Sequence, residues 1–181
     1  MLPDGELAAA LSWLDDVRGR VPGALRGRFD ALEAACHELN RFADAPQVLL
    51  HNDCHPWNSV VTPDGSVVLI DWEGAGLGPA VIDLGFAALS VATGGIVDRL
   101  IPADPARLDA LLAGYRQQHT LTAGELDHLA DAIRFRTLVG ACANLARALR
   151  QGRPEAVEPW WWQRYVLAET IADRVRAALH R

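Results

Sequence analysis

Leu49-Leu50-His51-Asn52-Asp53-Cys54-His55-Pro56-Trp57-Asn58, followed by Leu69-Ile70-Asp71-Trp72-Glu73, is the part of the sequence that decides the fold. Between the two stretches lie β-branched runs at 59–62 and 66–70. They are separated by Pro63-Asp64-Gly65, a tripeptide suited to a hairpin turn. Such a hairpin carries Asp71, at its far end, back beside Asn58. Asp53 and Asn58 share one loop, so two acids and one amide converge. Phosphoryl transfer requires a carboxylate to orient and deprotonate a hydroxyl, and hard oxygen donors to hold Mg²⁺ on the nucleotide phosphates. Asp53, Asn58 and Asp71 are residues of those types.

Upstream, apolar residues recur every three or four positions over 5–18 and 22–42 (Leu7, Leu11, Leu14; Leu25, Phe29, Leu32, Cys36, Leu39), a pattern that predicts two amphipathic helices. Residues 47–50 read as a short strand. The glycines of 74–79 predict a loop, and 80–91 is apolar enough for a buried helix. Further on, Asp104 or Pro105 opens a helix running to about residue 119. Thr122 with Glu125 forms a capping box for a long helix through Leu149, which Gly152 and Pro154 end, and a last helix covers 157–179. The expectation is a mostly helical α+β fold in one domain, 1–181. It has a helical lead-in (1–45), a segment carrying the chemistry (47–92) and a helical region (104–181).

Composition narrows the function. The chain has 181 residues, half of them apolar and 22% charged, the balance of a globular protein. A net charge of −6 leaves no broad face for nucleic acid. All 17 basic residues are arginine; no lysine occurs. Cys36, Cys54 and Cys142 are far apart, odd in number and not in CxxC pairs, which predicts neither a disulfide framework nor a zinc knuckle and fits a reducing cytoplasm. The acidic start argues against a targeting segment. The apolar stretch at 80–92 is interrupted by Asp83 and falls short of the roughly 20 residues a bilayer requires, so no membrane association is expected.

His51-x-Asp53-x-x-x-x-Asn58 with Ile70-Asp71-Trp72 resembles the catalytic and metal-binding motifs of the aminoglycoside phosphotransferases and their choline and homoserine kinase relatives, enzymes of protein-kinase-like fold. In that family the loop often reads HGDLHPGN and the later motif IDWEDAG, so His55-Pro56 and Glu73-Gly74-Ala75-Gly76 extend the likeness. The resemblance implies ATP- or GTP-dependent phosphorylation of a small-molecule hydroxyl. Asp53 would be the catalytic base, Asn58 and Asp71 would ligate Mg²⁺ and through it the nucleotide, and His51 would brace the loop. Asp83 falls where the family has a buried aspartate bound to catalytic-loop backbone amides. The likeness is firm over 49–89, looser over later helices including 136–149, and over 1–45 extends only to helical character. Asn52 and Cys54 stand where glycine and leucine are common, and Trp57 where a small residue is usual, narrowing the acceptor's entrance.

Full-length relatives begin with a β-rich lobe whose lysine grips the α and β phosphates. With no lysine and about fifty residues ahead of the loop, the chain is expected to correspond to the C-terminal lobe alone. Three possibilities follow: part of a longer protein, a partner of a separate lobe-bearing chain or of further copies of itself, or an inactive pseudokinase-like binding module.

Plainer readings stand beside these. Acids and amides populate turns in any protein. His51, Asp53 and His55 together suggest a metal hydrolase. Gly74-x-Gly76-x-Gly78 lacks the third glycine position and the βαβ setting of a dinucleotide site. Trp160, Trp161 and Trp162 point in different directions on a helix, which suits packing or an interface better than a substrate platform. Cys54 has no lysine beside it to activate it, and Asp104, Asp109, Glu125, Asp127 and Asp131 read as solvated helix faces.

Overall fold

In the computed structural model, residues 2–39, 42, 45–93 and 105–179 are described. Helices α1 (Leu2–Val17) and α2 (Gly23–Glu38) come first, then strands β1 (Gln47–Leu50), β2 (Ser59–Val61), β3 (Val67–Leu69) and β4 (Gly76–Pro79). Five helices follow: α3 (Ala80–Ala92), α4 (Pro105–Gln118), α5 (Ala123–Asp127), α6 (Leu129–Arg150) and α7 (Pro159–Leu179). The result is a mainly helical α+β protein. No helix among the described residues is long and apolar enough to cross a membrane.

The core forms around α6, which packs against α7, α3, α1 and α2. Most of α6 is buried all round, including Ile133, Phe135, Leu138, Cys142, Leu145 and Leu149, the pattern of a helix at the centre of a fold. α1 presents Leu7, Ala10, Leu14 and Val17 to this centre at helical spacing, and α2 presents Phe29, Leu32 and Cys36. Trp161 lies flat on α6 where Gly140 has no side chain, and Trp162 packs against the core, so most of the tryptophan run is packing. Trp160 stacks on Trp161 with ring centres 4.1 Å apart.

Two antiparallel ribbons replace the one expected. β2 and β3 pair as a hairpin with Ser59 opposite Leu69. Its turn closes through the Gly65 N–H on Thr62 O, with Gly65 at φ 84°, a conformation glycine adopts without strain. The second ribbon corrects the loop expected at 74–79: Gly76–Pro79 pairs with β1, Leu49 opposite Leu77 and Leu50 opposite Gly76. Glycines at alternate positions carry no apolar signal, and the partner strand lies far back in the chain, so local pattern could not reveal the pairing.

Helix boundaries differ as well. α2 stops at Glu38, with Leu39 turned to extended backbone, short of the expected 42. The capping box at Thr122 forms, but it opens only the five residues of α5, and a turn at His128 precedes α6. Its Glu125 is buried rather than solvated, because its carboxylate accepts from the Thr122 N–H and hydroxyl. The expected opening of α4 at Asp104 lies outside the described residues.

Candidate active site

β1 delivers the chain to His51, where backbone pairing ends and side chains take over the hydrogen bonds. α3 follows β4 directly and packs on β1. Asp83, in the first turn of α3, therefore reaches the loop. Its Oδ2 accepts from the His51 N–H at 2.7 Å and its Oδ1 from the Asn52 N–H at 2.8 Å. Burial raises the Asp83 carboxyl above its ordinary value, against the opposing pull of those two amides.

His51 is 2% exposed and both ring nitrogens are engaged. Nδ1 accepts from the Asp53 N–H at 3.3 Å, which leaves Nε2 as the protonated nitrogen donating to Ile70 O at 2.8 Å. The Ile70 N–H donates to Asn58 O at 2.9 Å. Ile70 is thus fixed at both ends, and Asp71 follows it with φ 66° and ψ 60°, solvent-exposed at the end of the hairpin. Left-handed backbone is costly for a residue with a side chain, so its neighbours must hold it there.

Asn58 closes the loop. Its Nδ2 donates to Asp53 Oδ2 at 2.7 Å and to Asp53 O at 3.1 Å. The Asp53 side chain stays 42% exposed, while His55, nearly buried, sets its Nε2 3.4 Å from Asp53 Oδ2. His55 Nδ1 accepts from the Trp57 N–H, so Nε2 is the nitrogen that carries the proton facing the carboxylate. The structure thus joins His51, Asp53, Asn58 and Asp83 in one hydrogen-bonded unit and links Asp71 to it through the Ile70 backbone.

These commitments decide which metals the residues fit. With both nitrogens of His51 occupied, the His51, Asp53, His55 set is not a transition-metal site. Among the described residues no group of three or more His, Cys, Asp and Glu is placed to hold a metal. Asn58 spends its amide hydrogens on Asp53, which leaves Oδ1 as a hard donor, and the Asp71 carboxylate is a second. That pair fits a cation such as Mg²⁺, which takes few protein oxygens and keeps water and phosphate as its other ligands.

Three residues that sequence reasoning passed over also belong to the unit. Asn52 is 2% exposed with φ 64°, and the glycine usual there marks the same need for left-handed backbone, which asparagine tolerates. Its carbonyl accepts from Arg136 Nε at 2.9 Å and from Nη2, while Arg136 Nη1 donates to Glu6 Oε1 at 2.9 Å. Asn52 Nδ2 donates to that same oxygen at 3.3 Å. A charged side chain at 136, between the apolar stretches of α6, was the available signal. Glu6 gave none.

A family model described as the phosphotransferase enzyme family matches residues 3–126. The match takes in α1 and α2, which the motifs alone did not reach, and ends before α6. No curated protein and no solved structure matches the chain.

Proposed function

Because the chain belongs to the phosphotransferase enzyme family, we propose that it serves nucleotide-dependent transfer of a phosphoryl group from ATP or GTP to a hydroxyl of a small molecule. Asp53 is the base in this reading. The observation that carries it is the 2.7 Å bond from Asn58 Nδ2 to Asp53 Oδ2, which orients the exposed carboxylate and turns Asn58 Oδ1 away from it. An acceptor hydroxyl donates its proton to Asp53 as its oxygen attacks the terminal phosphorus, whose bond to the bridging oxygen breaks and releases the nucleoside diphosphate. His55 Nε2 lies 3.4 Å from the same carboxylate oxygen and flanks the base. Asn58 and Asp71 would hold Mg²⁺, which when bound offsets the charge of the nucleotide phosphates.

In this reading the chain corresponds to the C-terminal lobe of a kinase-like enzyme. The 181 residues include no lysine, so the cation that grips the α and β phosphates would be an arginine, or belong to a further part of a longer protein or to another chain. A second reading, a pseudokinase-like binding module, draws on one observation. Ten of the eleven large apolar side chains facing solvent among the described residues fall between Val48 and Leu77. Val60 faces Val68 and Val61 faces Val67, so the hairpin is apolar on both sides and suits cover by a partner lobe or a second copy.

Calorimetry of Mg²⁺-dependent ATP and GTP binding, with Asp71→Ala as control, tests the reading. Binding that disappears in the variant supports it, and no binding by the unsubstituted chain up to millimolar nucleotide favours the module. In the active form, Asp53→Asn should lower kcat by about 10²–10⁴-fold, the range typical of a positioned base, with an unchanged circular dichroism spectrum.

A further inference from the structure

We propose that Arg136 and Glu6 are positioning residues for Asp53, acting through the peptide that joins Asn52 to it. This rests on Asp53 being the base. That peptide is held from opposite sides: its carbonyl accepts from two nitrogens of the Arg136 guanidinium, and its N–H donates to His51 Nδ1. The preceding peptide is held by Asp83 through the Asn52 N–H. Turning the Asn52–Asp53 peptide would swing the Asp53 side chain directly, and the left-handed Asn52 makes such a turn favourable unless something opposes it. Arg136 opposes it with a planar fork whose two donors fix the carbonyl's direction as well as its place.

Glu6 sets the fork. Its Oε1 accepts from Arg136 Nη1 and from Asn52 Nδ2, tying α1, α6 and the loop at one atom. Glu6 Oε2 and Asn52 Oδ1 are both buried with no hydrogen-bond partner among the described residues. Buried acceptors left without partners cost free energy. Arg136 lies outside the stretch matched by the family model, so the carbonyl of the loop is held by a part of the chain to which no role is assigned.

The test uses the full chain labelled with ¹⁵N-aspartate and compares Arg136→Gln, Arg136→Lys and the unsubstituted protein. In Arg136→Gln the Asp53 amide resonance should move and its hydrogen exchange quicken by about 10-fold or more, while Asp16 in α1 and Asp173 in α7 keep their positions. Arg136→Lys, which keeps the charge and loses the fork, should fall between. In turnover, kcat should drop about 10–100-fold at unchanged nucleotide KM. If Arg136→Gln does not fold, Glu6→Gln gives the same readout with the shape conserved. An unmoved Asp53 resonance in a folded variant overturns the proposal, as does a loss confined to KM. Absence of turnover in the unsubstituted chain would count against phosphotransfer by this chain alone, with the Asp53 resonance still deciding the present proposal.

Discussion

Cys54 sits between the proposed base, Asp53, and His55 in the chain, yet its environment suppresses thiol chemistry. Burial, helped by the charges of Asp83 and Asp53, pushes the thiol up from 9.0 to about 11. A raised pKa in the folded state contributes stability that is complete below pH 9.0 and is lost as pH rises through about 11. At about pH 8 the thiolate fraction, and with it the alkylation rate, should be about 100-fold below that of an unshielded cysteine. Iodoacetamide labelling of Cys54, followed by mass spectrometry up to about pH 11, checks this; a rate that levels off near pH 9 would contradict it. Residues of this kind show what was legible in the sequence. The identities and spacing of His51, Asp53, Asn58 and Asp71 were plain because they sit within one loop and its hairpin. Glu6 and Arg136 were not: the charge at 136 set among apolar residues was a signal, but nothing local says which distant groups either side chain will meet.

At the level of elements, the loop depends on the contact between α3 and α6. A Cβ added at Gly85 would lie 2.8 Å from the Ala132 carbonyl carbon and 2.9 Å from the Ile133 nitrogen. Both are backbone atoms of a packed helix, so α3 itself must shift. Gly85→Ala should cost about 1–3 kcal/mol in urea unfolding, in the range of overpacked cores. Because Asp83 stands two residues earlier on α3, the His51 and Asn52 amides should lose hydrogen-exchange protection in the same variant. A stability change of less than a few tenths of a kcal/mol would mean that the two helices have room to part.

Across the whole molecule, α6 is the element on which α1, α2, α3 and α7 converge. Phe135 is fully buried there, one residue before Arg136, with the guanidinium 6.0 Å from its ring centre. Phe135→Ala should lower the unfolding free energy by about 3–5 kcal/mol in a single cooperative transition, measured in guanidinium chloride. Separate transitions for the two ends of the chain would refute the central role of α6. By itself the sequence determined the helical class, the β2–β3 hairpin, the capping box and the residues of the proposed chemistry, because each is written in periodicity, turn residues or spacing over a few positions. Only the tertiary structure decided that residues 76–79 form a strand against β1, that Asp83 meets the His51 and Asn52 amides, and that Glu6 and Arg136 hold the loop from helices at opposite ends of the chain. Those contacts depend on where distant backbone segments come to lie, and packing around α6 fixes that placement.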